Sequence, residues 1–137
     1  MKRVLILCTG NSCRSIIAEG LVNKYLKPQG IEALSAGSNP SGRINPNAKK
    51  VLQEEEAWDE RYHSKSIEEV MEQGPYELVV TVCDNAKESC PVFPGETKTI
   101  HEGFEDPDGK PYEAFVTTKE EIKRRLLPRI EKELQGA

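Results

Sequence analysis

The stretch Val4-Leu5-Ile6-Leu7-Cys8-Thr9-Gly10-Asn11-Ser12-Cys13-Arg14-Ser15 decides how the rest of the chain is read. Its first four residues are apolar without alternation, the pattern of a strand buried on both faces of a parallel sheet. After Ser15 the period changes. Ile17, Leu21 and Tyr25 recur at four-residue spacing beside Ala18, Val22 and Leu26, which predicts a helix that Pro28 and Gly30 end. Residues 8–15 are therefore a strand-to-helix loop, and in an open α/β sheet such loops sit where ligands bind. Backbone N–H groups of a loop wrapping onto a helix start form an anion cradle. Arg14 adds a planar, permanently charged fork suited to an oxyanion. Gly10 suits a tight turn, and Asn11 is able to pin the loop or adopt a left-handed conformation. Thr9, Gly10, Asn11, Ser12, Cys13, Arg14 and Ser15 are the expected oxyanion-binding residues. The Cys8 thiol, beside a helix N-terminus and an arginine, should ionise readily and attack the central atom of a tetrahedral oxyanion. Ser15 is the expected hydrogen-bond donor to its thiolate. The loop lacks the Gly-Lys-Ser/Thr ending of a Walker-type nucleotide site.

Outward from this loop, short apolar runs alternate with helical patterns. Residues 33–36 and 78–82 read as strands, and 98–100 as a fourth. Asn45-Pro46 opens a helix toward Glu56, with Ala48, Val51 and Leu52 inward. Ser66 with Glu69 resembles a capping box, and Gly74-Pro75 ends that short helix. Gly103, Pro107, Gly109 and Pro111 argue for a long loop over 101–116. Thr118 with Glu121 signals a last helix carrying Ile122, Leu126, Ile130 and Leu134, which Pro128 should kink. The fold class expected is a three-layer α/β arrangement: an open, mostly parallel four-stranded sheet with helices on both faces, in one domain over 1–137.

The chain has 137 residues, with 19 Lys and Arg against 23 Asp and Glu. That balance gives no support to a nucleic-acid partner. No apolar stretch approaches the roughly 18 residues of a membrane span, and the apolar run within 1–7 is too short for a signal peptide. A cytoplasmic monomer with mostly reduced thiols is expected. Four cysteines are too few for a disulfide scaffold. The spacings Cys8-x4-Cys13 and Cys83-x6-Cys90 do not make the paired knuckles of structural zinc, and neither metal nor cofactor is expected. His63 reads as a surface residue, His101 as structural, and Trp58 and Tyr62 as cover for a helix face.

Cys8-x5-Arg14-Ser15, with Asp106-Pro107 downstream, resembles the low-molecular-weight protein tyrosine phosphatases over the chain's whole order and length. The resemblance implies that fold, with Cys8 as nucleophile, Arg14 and the loop as oxyanion binders, and Asp106 as general acid. Phosphatase chemistry does not use the segment Cys83-Asp84-x5-Cys90-Pro91. If the third strand neighbours the first, Cys83 emerges on the same sheet edge as Cys8. Thiols gathered at an oxyanion site suggest electron transfer, since each disulfide formed releases two electrons.

The segment resembles the redox helix of thioredoxin-coupled arsenate reductases, a branch of the same fold family. His101, Gly103, Phe104, Asp106 and Pro107 resemble that branch's acid loop. This resemblance implies reduction of arsenate to arsenite through an adduct on Cys8, then a Cys8–Cys83 disulfide, then Cys83–Cys90. Thioredoxin or a similar dithiol donor would restore the thiols. The polar 84–89 segment has to rearrange for that exchange. Cys13 stands outside the relay. Asn11, Glu19 and Ser35 match three ligands of the potassium site of some members, but Ser64 and Ser66 stand in place of the Thr and Asp, so a carboxylate is missing. The rival readings are a phosphatase hydrolysing phosphate monoesters through a Cys8 phosphoenzyme, and a non-catalytic oxyanion-binding regulator. Cys83 and Cys90 separate them from the reductase.

Overall fold

The computed structural model describes residues 1–83, 93 and 97–135. Strands β1 (Lys2–Cys8), β2 (Ile31–Gly37), β3 (Leu78–Thr81) and β4 (Thr99–His101) form one sheet in the order β2-β1-β3-β4. Every pairing is parallel, with Cys8 opposite Gly37, Leu7 opposite Thr81, and Thr81 opposite His101. All four strands therefore finish on one edge.

Helix α1 (Arg14–Tyr25) links β1 to β2; α2 (Pro46–Glu54) and α3 (Ile67–Met71) lie between β2 and β3. The first crossover moves one way along the sheet and the second moves back past β1. Right-handed crossovers then place α1 and α3 on opposite faces. The side chains of β1 record this division. Val4, Ile6 and Cys8 join a core with Ile17, Leu21, Leu52, Phe115 and Leu126, whereas Leu5 and Leu7 join Val70, Tyr76 and Val79. Helices α4 (Tyr112–Glu121) and α5 (Leu127–Gln135) return to the α1 face. The direction of the connections reverses between β1 and β3, so a crevice opens outside their carboxyl ends. The expected α/β class, with helices on both faces, is the fold that forms. No described helix is long and apolar enough to cross a membrane.

Two local readings hold in detail. The Asn45 side chain accepts from Asn47 N at 2.8 Å with Pro46 in the first turn, and Ser66 Oγ accepts from Glu69 N at 3.3 Å. Others need correction. The long loop ends at Pro111, because α4 already begins at Tyr112 and buries Phe115. Thr118 does not cap a helix; it lies inside α4, and its hydroxyl donates to Ala114 O at 2.9 Å. Pro128 does disturb the last helix. Residues Ile122–Leu126 widen into a π turn just before it, which absorbs the missing donor. Helix α1 is also not a simple amphipathic stripe. It is buried continuously from Arg14 to Val22, so its polar residues need partners inside the protein.

Glu55, just past α2, holds the helical layer together. It accepts from Lys119 Nζ at 3.0 Å, Lys123 Nζ at 2.7 Å and the Tyr25 hydroxyl. Burial alone would raise its pKa, but these hydrogen bonds hold it down at about 2. A depressed carboxyl stabilises above its unfolded pKa and loses that contribution as pH falls through the folded value. Glu55→Gln should lower stability by about 1–2 kcal/mol at neutral pH, with the difference shrinking as pH falls from about 4.3, the unfolded value, toward 2; urea unfolding across pH checks this. Gly37, at the end of β2, carries no side chain because a Cβ would lie 2.4 Å from the Thr9 carbonyl oxygen. Gly37→Ala should lower the unfolding midpoint by an amount matching about 1–3 kcal/mol, the usual penalty of overpacking.

Candidate active site

The loop from Cys8 to Arg14 is held by its carbonyls. Cys8 O accepts from Ser38 N at 3.3 Å, Thr9 O from Asn39 N at 2.9 Å, Gly10 O from Ser41 N at 3.0 Å, and Ser12 O from Asn45 N at 3.1 Å. With the carbonyls tied to the 38–45 segment, the peptide planes turn their N–H sides toward the opposite, concave side. The left-handed residue is Asn11, at φ 47°, not Gly10. Helix α1 begins at Arg14 with no side-chain cap and no acidic residue in its first turn. Its N-terminal dipole therefore faces the concavity with no acidic side chain of the helix's own first turn against it.

A cavity of about 170 Å³ results, lined by Cys8, Gly10, Asn11, Ser12, Cys13, Arg14, Ser41, Asp106 and Asp108. Cys8 and Arg14 are buried, whereas the Asp106 side chain is 46% exposed. Arg14 Nη1 donates to Phe104 O at 3.1 Å, and Nη2 lies 3.6 Å from Asp106 Oδ2. One guanidinium thus ties the start of α1 to the loop carrying the Asp-Pro turn. Ser15 Oγ accepts from Asn11 Nδ2 at 2.8 Å, which leaves its own proton to donate elsewhere. Of the expected oxyanion-binding residues, Gly10, Asn11, Ser12, Cys13 and Arg14 line the cavity, whereas Thr9 and Ser15 do not.

Cys13 is a buried thiol whose pKa is pushed up to about 12, by burial first and then by Asp106 and Asp108. Such a thiol is inert at neutral pH. Cys8 and Cys13 are both thiols, and Cys83 is disulfide-bonded. Cys83 lies two residues past β3, the strand beside β1, and Val82 N between them donates to Leu7 O at 3.0 Å. Val82 and Cys83 both fall in the cluster that contains Cys8, so strand alternation ends there and the chain turns at Cys83. Cys90, Pro91 and the 84–89 segment lie outside the described residues.

His63 is exposed and faces Glu69; Trp58 and Tyr62 meet edge to face. His101 Nδ1 lies 2.7 Å from Thr81 Oγ1 and its carbonyl accepts from Arg129, a structural role. Among the described residues no group of three or more His, Cys, Asp or Glu side chains is placed to hold a metal ion.

Beneath the cavity runs a chain of buried polar contacts. Asn11 Nδ2 donates to Ser35 Oγ at 2.9 Å, Ser35 donates to Glu19 Oε1 at 2.6 Å, and Lys65 Nζ lies 3.6 Å from the same oxygen. Lys65 N donates to Asn11 Oδ1 at 2.8 Å. Glu19 is 2% and Lys65 6% exposed. The residues present do not fit the potassium site of the resembled branch. The cation beside Glu19 is the Lys65 ammonium, and no carboxylate stands at 64 or 66. Lys65 escapes sequence reasoning, since a lysine between two serines reads as solvated until the fold buries it.

A thiol at the end of a central strand, faced by a helix N-terminus and a buried arginine, defines a phosphatase-like anion site. The sequence profile of the low molecular weight phosphotyrosine protein phosphatases matches residues 3–135, and the chain belongs to that family. It is 38% identical over 126 residues to arsenate reductase 1 of Bacillus cereus, covering 91% of each chain. Its fold matches the crystal structure of arsenate reductase from Archaeoglobus fulgidus with TM-score 0.80 and 29% identity, covering 93% of this chain and 98% of that one. A low molecular weight protein tyrosine phosphatase from T. tengcongensis matches with TM-score 0.78 and 30% identity, covering 96% and 99%. The near-equal scores mean that the backbone does not separate reductase from phosphatase.

Burial raises the Glu19 pKa, and Lys65 offsets part of that rise. Lys65→Met should cost about 3–5 kcal/mol at neutral pH, the usual result of leaving one partner of a buried pair. The variant's Glu19 then has a folded pKa still further above its unfolded one, so its stability falls as pH rises. The deficit in a urea titration should narrow as pH drops toward about 4, the ordinary carboxylate range. A deficit that does not vary with pH would contradict the pairing.

Proposed function

We propose that the protein reduces arsenate to arsenite, with Cys8 as nucleophile and Cys8, Cys83 and Cys90 as a disulfide relay. The observation that carries this reading is Cys83, buried in one cluster with Cys8 at the end of the neighbouring strand. Phosphate-ester hydrolysis has no use for a second cysteine there. The Bacillus cereus and Archaeoglobus relatives support the same substrate.

Arsenate sits in the cradle on the loop N–H groups and the Arg14 guanidinium. The Cys8 thiolate, stabilised by the α1 N-terminus and the Ser15 hydroxyl, attacks arsenic. One arsenate oxygen leaves as water with a proton from Asp106, and an S–As bond remains. The Cys83 thiolate then attacks Cys8 Sγ. The Cys8–Cys83 bond forms, the S–As bond breaks, and its electron pair reduces arsenic from the +5 to the +3 state. Arsenite departs. Cys90 attacks Cys83 Sγ, forming Cys83–Cys90 and returning Cys8 as a thiolate. Thioredoxin or a similar dithiol reduces Cys83–Cys90 and is itself oxidised, so the two electrons given to arsenic are replaced. We place the reaction in the cytoplasm, where a dithiol pool is maintained, and assign it to a monomer.

Cys83→Ser should abolish arsenate-dependent oxidation of thioredoxin while sparing hydrolysis of an aryl phosphate, because Cys8, Arg14 and Asp106 serve both reactions. Equal retention of the two activities would defeat the relay. Mass mapping of the wild type after arsenate turnover should recover Cys83–Cys90.

A further inference from the structure

Asp108 stands two residues past the proposed acid, and no step above uses it. Its Oδ1 accepts from Asn45 Nδ2 at 2.8 Å, and the Cys13 thiol points to the same oxygen at 3.9 Å. Its backbone N–H donates to Asp106 Oδ1 at 3.0 Å. Asn45 in turn is fixed from two other sides. Its N–H donates to Ser12 O, and its Oδ1 caps α2 by accepting from Asn47 N. Because the oxygen of the Asn45 amide is committed to the cap, the group facing Asp108 is its NH2. The Asn45–Asp108 bond therefore joins three segments that are remote in sequence: the anion loop, the start of α2 and the acid turn.

We propose that Asp108 is the positioning residue of the acid turn, docking Asp106 over the cradle through Asn45. The inference rests on the reading of Asp106 as the acid. Asp106 meets Arg14 only at 3.6 Å, beyond hydrogen-bond distance, so that contact leaves the turn loosely held. The Asp108 bond is the shorter contact between the turn and the body of the protein. It also aims Asp106, since the Asp108 N–H fixes one carboxylate oxygen and turns the other toward Arg14.

The two side chains offer a swap test. Asn45→Asp keeps the α2 cap, because a carboxylate also accepts from Asn47 N, but sets two carboxylates against each other and undocks the turn. Adding Asp108→Asn to Asn45→Asp restores a donor facing an acceptor, with the direction reversed. Asn45→Asp should lower kcat roughly ten- to hundredfold, the scale of a misplaced catalytic group, with KM nearly unchanged. The double variant should recover most of that loss. Both are measured on arsenate reduction and on aryl phosphate hydrolysis, since Asp106 serves either reaction. A wild type inactive on arsenate would sink the reductase reading while the phosphate arm still tests the catch. Hydrogen exchange over 104–109 needs no turnover: it should quicken in Asn45→Asp and slow again in the double variant. Unchanged kcat and exchange in Asn45→Asp, or a double variant as impaired as the single one, would overturn the proposal.

Discussion

The site depends on the side chain of Asn11. Asn11 is fully buried and left-handed, a conformation that asparagine holds by tying its side chain down. Asn11 is tied on both ends of its amide: the oxygen accepts from Lys65 N, and the nitrogen donates to Ser15 and Ser35. One planar group thus fixes the bend of the cradle relative to α1, β2 and the 64–66 segment. Ser35 passes the constraint to Glu19, and Glu19 to Lys65. The anion loop is preorganised by a network that does not itself line the cradle, apart from Asn11. A binding site built this way loses little to reorganisation when the ligand arrives.

The sheet sets the second constraint. Parallel pairing brings the ends of β1 and β3 to one edge, and the reversal of strand order between them opens the crevice. Cys8 and Cys83 are 75 positions apart along the chain, yet share a cluster because Cys8 ends β1 and Cys83 lies two residues past β3. The same edge carries the β4 end, from which the 102–111 loop swings back over Arg14. The anion cradle and a second buried cysteine thus share one strand edge.

Much of this was legible in the residues. The unbroken run Val4–Leu7 announces a strand buried on both faces, and Cys8 to Ser15 announces the cradle, because both patterns are local. Asn45 and Ser66 announce their caps for the same reason. The start of α4 was hidden because Gly109 and Pro111 make turns that mask the helix beyond them. Thr118 misled because its spacing to Glu121 has capping form, whereas its hydroxyl bonds back within a helix already under way. Lys65, Asp108 and the Asn45 contact with Asp108 were silent for a different reason. Their roles arise from contacts across 46, 63 or 95 positions, by Lys65 with Glu19 and by Asp108 with Asn45 and Cys13. No local pattern encodes such a contact, and only the closed fold brings the partners together.

The π turn at Ile122–Leu126 fixes the length of the chain between two helices. A π turn holds one residue more than an α-helix needs over the same rise. Removing one residue there would restore regular winding but rotate the downstream helix against the upstream one by about 100°. Arg125 now lies over the Phe104 ring at 4.5 Å and donates to Glu102 and to Gly103 O. Arg129 grips the same strand end through Glu102 and His101 O. Either these arginines would leave the base of the acid loop, or Phe115 would leave the core. The surplus residue is thus a spacer that lets a core-facing helix and a loop-gripping helix share one continuous rod, and chain-length changes are better tolerated at the exposed Gly109 turn than here.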